Sequence, residues 1–268
     1  MESEKIKVAA VQMDCVLGDR EANLRKAEKL VVQALKAGAR LIVLPELFNT
    51  GYRVEERDVE MAETIPGPTV EWMQHLARKH SVYIAAAILE QSLSKGLVYD
   101  TAVLVGPEEL LGTYRKTHLW DVESIRFTKG DAFPVFQTAV GNIGLQICYE
   151  VGFPEGARVL ALQGADILLY PSAFGKARGY AWKIATRSRA LENGAYVIAA
   201  NRTGTEKEET EFGGGSCIVN PWGEVTAEAS EENEVIVSEI DLREVVEQRR
   251  RLPYLRDMNR SLFAKLYG

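Results

Sequence analysis

The sequence has few of the residues that mark metal-binding and disulfide-bonded proteins. Its 268 residues include 3 cysteines and 3 histidines, and Cys15, Cys148 and Cys217 are far apart. Without a CxxC pair, neither a zinc ribbon nor a thioredoxin-like redox pair is indicated. His75 and His80 are five residues apart on one predicted helix, which is not the spacing of a metal-binding pair. We therefore expect no metal, no cofactor and a reducing, cytoplasmic environment.

Long apolar runs and an excess of positive charge are also missing. No run approaches the roughly 20 apolar residues of a membrane-spanning helix. The first residues, MESEKIKVAAVQM, carry acids where a secretory signal carries bases, so we expect no signal peptide. The formal net charge is −6 and the pI is about 5.4, which argues against nucleic acid or an anionic membrane as a partner.

The chain does contain short apolar runs that alternate with helical patterns. This order is typical of an α/β fold, and there are more strands than one small sheet can hold. We predict two sheets packed face to face, with helices outside. No change of composition indicates a linker, so we expect a single domain over residues 1–268. Strands are predicted at 7–13, 40–46, 82–89, 98–105, 110–116, 141–148, 165–172 and 195–201, and helices at 23–38, 69–80, 154–164 and 181–194.

Three of the predicted strands end at residues that form a chemical set. Glu46, Lys116 and Cys148 each follow an apolar run. Taken singly, they read as a loop carboxylate, a surface lysine and a buried inert thiol. Together they supply what acyl transfer needs. A thiol attacks only as thiolate, a carboxylate can take its proton, and a fixed ammonium stabilises the oxyanion.

The same stretches carry a resemblance to a known family. LPELFNTGY (44–52), YRKTHLW (114–120) and ICYEVGFPE (147–155) look like the motifs of the carbon–nitrogen hydrolase (nitrilase) superfamily, in its amidase-like branch. The resemblance implies a four-layer αββα sandwich of two mixed sheets. It also implies a catalytic triad of Glu46, Lys116 and Cys148, joined by Glu123, and a homodimer or higher homo-oligomer. The segment at about 248–268 is then expected in the dimer contact.

The expected activity is hydrolysis of a small aliphatic or ω-amino primary amide to acid and ammonia through a cysteine thioester. The backbone N–H of Tyr149, next to Cys148, is the expected second oxyanion donor. Gly152 is expected to widen the mouth of the site. Candidate substrate-binding residues are Tyr52, Trp120, Tyr149, Ala173 and Phe174.

Several alternatives remain open from the sequence. A nitrilase, an N-carbamoyl amide hydrolase or an acyltransferase would share the covalent step. A non-catalytic, ligand-binding relative is the alternative outside enzymes. From chemistry alone, a dyad of Cys148 with His118 is a second possible mechanism. Cys15 and Cys217 are interpreted as structural residues.

Overall fold

The computed structural model describes residues 5–94 and 96–267. The predicted domain of 1–268 therefore includes residues 1–4, 95 and 268, which lie outside the described residues. In chain order the first half contains β1 (Ile6–Gln12), α1 (Arg20–Lys36), β2 (Leu41–Glu46), α2 (Asp58–Met61), α3 (Pro68–His80), β3 (Tyr83–Gln91), β4 (Val98–Val105), β5 (Leu110–Arg115), α4 (Glu123–Arg126) and β6 (Val135–Thr138). The second half contains β7 (Gly141–Leu145), α5 (Pro154–Leu162), β8 (Ile167–Ser172), α6 (Gly179–Asn193), β9 (Tyr196–Asn201), β10 (Thr205–Glu206), β11 (Thr210–Glu211), β12 (Cys217–Val219), β13 (Val225–Glu228), β14 (Glu234–Ile240), α7 (Leu242–Arg251), α8 (Tyr254–Asp257) and α9 (Arg260–Tyr267).

Two six-stranded mixed sheets form the centre of the fold. The first has the order β14-β1-β2-β3-β4-β5 and the second the order β13-β12-β9-β8-β7-β6. In the first sheet β1, β2 and β3 are parallel, and β4 and β5 continue it antiparallel. In the second sheet β7, β8 and β9 are parallel. Parallel strands need crossover connections, which explains the helices between them.

The burial pattern explains why the sheets and helices stack in layers. On α1 the buried residues Ala27, Leu30, Val31 and Ala34 recur at helical spacing and pack against the outer face of the first sheet. The inner faces of both sheets share one hydrophobic cluster, and α5 and α6 cover the outside of the second sheet. The predicted αββα sandwich is therefore confirmed.

The differences from the predicted elements are local. The short strand β6 and the two-residue strands β10 and β11 are not among the predicted strands, since their sequences have no clear alternating pattern. The predicted strand at 141–148 ends as a strand at Leu145, and a 3-10 helix begins at Cys148 and ends at Gly152. Among the helices of the described residues, none combines the length and apolar character needed to cross a membrane.

The topology brings the ends of several strands to one edge. β5 is antiparallel to β4, which is antiparallel to β3, so β5 and β3 run the same way. The carboxyl ends of β2, β3 and β5 thus lie at the same edge of the first sheet, together with the beginning of β4. Polar residues that follow or begin these strands meet there.

Candidate active site

Lys116 lies at the centre of a buried group of carboxylates. Its Nζ is 2.6 Å from Oε1 of Glu46, 2.9 Å from Oε2 of Glu123 and 3.4 Å from Oδ2 of Asp100. All four side chains are at most 1% exposed. Lys116 follows β5 directly, and its backbone N–H donates to the carbonyl of Asp100 at 2.9 Å, which fixes the lysine beside β4.

Glu46 connects this group to the second sheet. Its Oε2 accepts a hydrogen bond of 2.6 Å from the backbone N–H of Ala173, the residue that follows β8. The charges of Glu46 and Lys116 both act on the thiol of Cys148. The structure thus pairs Glu46 directly with Lys116 and places Cys148 within electrostatic range of both.

Glu123, the first residue of α4, is held from three sides. Its Oε1 accepts a 2.7 Å hydrogen bond from the hydroxyl of Tyr52, and its Oε2 accepts a 2.8 Å bond from the backbone N–H of Trp120. The third partner is the Lys116 ammonium, 3.0 Å from Oε1. The structure therefore brings Glu123 and Tyr52 to the site that the sequence assigned to them.

Cys148 occupies a tight turn that Glu150 holds closed. The backbone of Cys148 has φ of +50°, a conformation that is uncommon for residues other than glycine. The Ile147 N–H donates to Oε2 of Glu150 at 2.8 Å, and the Glu150 N–H donates to the Ile147 carbonyl at 3.0 Å. These bonds enclose Cys148 at the start of the 3-10 helix. The first N–H groups of a helix have no partner within it, and the Tyr149 N–H belongs to this set.

The other oxygen of Glu150 joins this turn to the strand end that carries Lys116. Its Oε1 accepts hydrogen bonds from Tyr114 Oη at 2.6 Å, Thr117 N at 2.9 Å, Thr117 Oγ1 at 2.6 Å and His118 N at 3.1 Å. One buried carboxylate therefore fixes the separation of the Cys148 turn from the residues that flank Lys116. No role for Glu150 was predicted from the sequence.

The pKa values of Glu46 and Asp100 are shifted in opposite directions. Burial raises the pKa of Glu46, but the charge of Lys116 and interactions with Asp100, Lys116 and Cys148 outweigh it, so this pKa lies below its usual value. Burial and the neighbouring Glu46 charge raise the pKa of Asp100 well above its usual value. These opposite shifts leave Glu46 as the ionised carboxylate of the two.

The same environment keeps the lysine charged and the thiol neutral. Burial lowers the pKa of Lys116, but Glu123, Glu46 and Asp100 together raise it well above its usual value. Burial and the charge of Glu46 raise the pKa of the Cys148 thiol well above its usual value, despite the opposing effect of Lys116. The resting site therefore holds an ammonium, an ionised Glu46 and a protonated sulfur.

A metal would compete with Lys116 for this place. The carboxylates of Glu46, Asp100 and Glu123 have oxygens within 4.8 Å of one another, a spacing that can suit a cation. The ammonium of Lys116 lies among them, so a metal ion would be placed next to a positive charge. The donor set fits the lysine better than a metal.

A cavity of about 850 Å³ opens next to the charged group. Tyr52, Trp120 and Ala173, three of the predicted substrate-binding residues, line it. Tyr52 and Ala173 also bond to Glu123 and Glu46, so two residues of the cavity wall contact the buried carboxylates. Tyr149 is half-buried beside it, with its ring edge-on to Trp120 at 4.8 Å between centroids.

Phe174 is placed differently from the other candidates. Its ring packs against Trp182 at 5.3 Å in the core of the second sheet and its helices. Among the described residues, those that line the cavity include its neighbours Ala173 and Gly175 but not Phe174. Its backbone is fixed, since the Phe174 N–H donates to Oδ1 of Asn201 at 2.7 Å.

His118, Cys15 and Cys217 have surroundings that differ from those of Cys148. The ring of His118 stacks on Phe153 at 4.0 Å, and its Nδ1 is 2.9 Å from Oγ1 of Thr117. Within the described residues, no hydrogen bond joins His118 to Cys148. Burial raises the pKa of Cys15 to about 11 and that of Cys217 to about 12.

Asp100 is the member of the group that the sequence analysis missed. It lies inside the predicted strand 98–105, where an acidic residue among apolar ones has no recognised pattern. A signal was present, because an isolated aspartate in a mostly apolar strand requires a partner when it is buried. That partner set becomes apparent only when β4 is placed between β3 and β5.

Comparison with known proteins agrees with this geometry. The family model described as carbon–nitrogen hydrolase matches residues 7–250. A nitrilase from Pyrococcus abyssi is 44% identical over 242 residues, covering 88% of this chain and 90% of its own. An omega-amidase from Xenopus laevis is 38% identical over 271 residues, covering 97% of each chain. The crystal structure of a carbon–nitrogen hydrolase from Helicobacter pylori G27 superimposes with a TM-score of 0.92 at 32% identity, covering 99% of each chain.

These relatives confirm the resemblance that the three sequence motifs indicated, including the amidase-like branch, and they support amidase activity. The alternative of a non-catalytic relative is not supported, since the matches are to enzymes over nearly the whole chain. The chain belongs to the carbon–nitrogen hydrolase family and is a cysteine-dependent carbon–nitrogen hydrolase.

Proposed function

We propose that the protein hydrolyses a small aliphatic or ω-amino primary amide to the acid and ammonia, through a thioester on Cys148. The observation that carries this proposal is the buried ion pair of Glu46 with Lys116, whose two charges both act on the Cys148 thiol. A nucleophile, a base and an oxyanion-stabilising cation are thereby within reach of one carbonyl group. The similarity to an omega-amidase supports the amide as substrate.

The first half of the reaction forms the thioester. The sulfur of Cys148 attacks the amide carbon while its proton moves to Glu46. The Lys116 ammonium and the Tyr149 N–H receive the oxyanion. When the tetrahedral intermediate collapses, the C–N bond breaks and Glu46 gives its proton to the departing nitrogen, which leaves as ammonia.

The second half releases the acid. A water molecule loses a proton to Glu46 and attacks the thioester carbon, again with the oxyanion against Lys116 and Tyr149. The C–S bond then breaks and the sulfur of Cys148 regains the proton from Glu46. Glu123 holds Lys116 in place through both halves, because the two side chains remain bonded.

The electrostatics explain why the thiolate forms only during attack. The pKa of the thiol is raised and that of Glu46 is lowered, so proton transfer is unfavourable in the resting site. As the C–S bond forms, negative charge moves from sulfur to the oxyanion, where Lys116 stabilises it. The loss of one oxyanion donor in other enzymes lowers the rate about 10²–10³-fold.

Trapping the covalent intermediate tests the proposal. With a slowly hydrolysed amide, intact-mass spectrometry should show one acyl group on the wild-type protein and none on Cys148→Ala. The matched control is Cys15→Ala, which should keep both the adduct and the ammonia release. An adduct at another residue, or full activity of Cys148→Ala, would contradict the mechanism.

A substrate panel separates the remaining enzyme alternatives. Ammonia release should be measured with aliphatic amides, ω-amino amides, nitriles and carbamoyl amines. Carbon dioxide appears only with carbamoyl amines, and turnover of nitriles alone would indicate a nitrilase. An added amine that captures the acyl group in place of water would indicate an acyltransferase.

We further propose that the chain acts as a single domain and assembles as a homodimer, or a higher homo-oligomer, in the cytoplasm. The shared hydrophobic cluster of the two sheets supports one domain. The segment at about 248–268 is the proposed dimer contact, and Tyr254, in α8, is 49% exposed there. Light scattering after size exclusion tests this assembly, since a monomeric mass at micromolar concentration would contradict it.

A further inference from the structure

Asp100 is a buried acid to whose carboxyl no described residue donates a hydrogen bond. It lies in β4 opposite Leu89 of β3, and its side chain is completely buried. The ammonium of Lys116 is 3.4 Å from Oδ2, farther than it is from Glu46 or Glu123. A buried carboxylate in such surroundings is poorly stabilised.

The charges around Asp100 also disfavour its ionised form. The charged groups that face it are Glu46 after the bulge of β2, Lys116 after the end of β5 and Glu123 of α4. If all three acids were ionised, they and one ammonium would leave two uncompensated negative charges in a buried space. Oxygens of the Asp100 and Glu46 carboxyls lie within 4.8 Å of each other. One proton between the two carboxyls removes one of these charges and gives Asp100 an acceptor.

We propose that Asp100 is held as a neutral carboxylic acid at neutral pH and that its O–H donates to Glu46. Asp100 is then a positioning residue that holds the base ionised and directed at Cys148. This inference deepens the proposed function, because it rests on Glu46 acting as the base. Raised pKa values of Asp100 and lowered values of Glu46 agree with that distribution of the proton.

Infrared difference spectroscopy tests whether Asp100 carries a proton, independently of enzyme activity. The spectrum of the wild type minus that of Asp100→Asn at neutral pH should contain the C=O stretch of a protonated carboxylic acid. The matched control is Asp14→Asn, because the pKa of Asp14 is lowered by Lys26 despite partial burial. A protonated-acid band that is lost in Asp100→Asn and kept in Asp14→Asn supports the proposal. Its absence from the wild type overturns it.

Steady-state kinetics test whether the hydrogen-bond donor at position 100 contributes to kcat. Asp100→Asn keeps a neutral donor, so kcat should stay within about tenfold of the wild type. Asp100→Leu removes the donor at similar volume, and kcat should fall a further ten- to hundredfold with KM little changed. Equal kcat values for Asp100→Asn and Asp100→Leu would overturn the proposal. If Asp100→Leu does not fold, the infrared result and kcat of Asp100→Asn decide.

The two tests also separate this inference from the proposed function. An acyl adduct on Cys148 with no protonated-acid band leaves the amidase mechanism intact and removes the role of Asp100. A protonated-acid band without any acyl adduct leaves the proton on Asp100 and removes the assigned reaction.

Discussion

The ammonium of Lys116 and the carboxylate of Glu46 form an ion pair of 2.6 Å in which both side chains are completely buried. The two residues are 70 positions apart in the chain, so the pair exists only because β2 and β5 end at the same edge of one sheet. A buried pair of this kind contributes little net stability, but removing one partner strands the other charge. Mutations here therefore affect folding and catalysis together.

We predict that Lys116→Met lowers both activity and stability. The oxyanion loses its cation, so kcat/KM should fall by at least about 10²–10³-fold. Glu46 and Glu123 lose their ammonium, so the free energy of unfolding at neutral pH should fall by about 3–5 kcal/mol. Urea unfolding and steady-state kinetics measure the two effects.

The loss of stability in Lys116→Met should depend on pH, because it arises from carboxylates that lose their cation. The pKa of Glu46 is lowered in the fold, so the stability that depends on its charge is present above about pH 4.5 and is lost as pH falls through its folded value. The destabilisation of Lys116→Met should therefore shrink toward acid pH. Lys183→Met, at an exposed lysine paired with Glu228, is the control and should change stability little. A destabilisation that is independent of pH would contradict the electrostatic explanation.

The acid side of the pH–rate profile distinguishes a carboxylate base from a histidine base. Because the pKa of Glu46 lies below its usual 4.5, this base stays ionised well into acid solution. We predict that kcat/KM changes little between about pH 7 and about pH 5, with the acid limb below that range. Activity measured with a single amide across this range, with the folded state followed by circular dichroism, gives the limb.

His118→Asn is the matched variant for this profile. It should retain the same acid limb, since His118 stacks on Phe153 and bonds to Thr117. An acid limb near the ordinary histidine pKa of about 6.5, and its disappearance in His118→Asn, would instead favour the Cys–His dyad.

The order of elements and the three strand-end residues could be predicted from the sequence because local patterns carry them. Apolar runs gave β2, β3 and β8 nearly to their ends, and Glu46, Lys116 and Cys148 stand directly after or near such runs. The αββα layers were implied by the resemblance to a known family and confirmed by the structure.

The residues that were missed depend on register between distant strands. Asp100 meets Glu46 and Lys116 because β4 pairs with β3 and β5, and no local pattern contains that pairing. Glu150 acts through Thr117, which is 33 positions away. Phe174 was predicted to line the pocket with Ala173, but adjacent residues direct their side chains differently, and its ring packs on Trp182.

We predict that Glu150→Gln loosens the link between the Cys148 turn and the strand end carrying Lys116. The carboxylate accepts five hydrogen bonds, and an amide NH₂ group in place of one oxygen cannot accept. The free energy of unfolding should fall by about 1.5–3 kcal/mol. Because Cys148 is displaced from the base, kcat should fall more than KM changes.

Glu155→Gln is the control for that variant. Glu155 is exposed at the start of α5 and should tolerate the change in both stability and kcat. If Glu150→Gln loses stability while keeping wild-type kcat at a temperature where it is folded, Glu150 supports the fold without positioning the nucleophile.

Arg178 is a cation in the wall of the cavity. Its guanidinium carbon lies 4.0 Å from the centroid of the Trp120 ring, and it lines the cavity. In the part of the chain that the structure describes, no carboxylate pairs with Arg178, whereas Arg126, also in the lining, pairs with Asp58. Arg178 therefore places a positive charge beside Trp120, although acidic side chains such as Glu56 and Asp121 also line the cavity.

Arg178→Met removes the charge while keeping an unbranched side chain against Trp120. At a separation of a few ångströms in a partly wet cavity, one charge interaction is worth about 1–4 kcal/mol, or about fivefold or more in KM. We predict that KM falls for ω-amino amides, rises for amides with a carboxylate at the far end, and changes least for neutral amides. Arg25→Met, on the exposed face of α1, should leave all three KM values unchanged. An equal change for all three substrates in Arg178→Met would mean that Arg178 supports Trp120 by packing, and that its charge does not select the substrate.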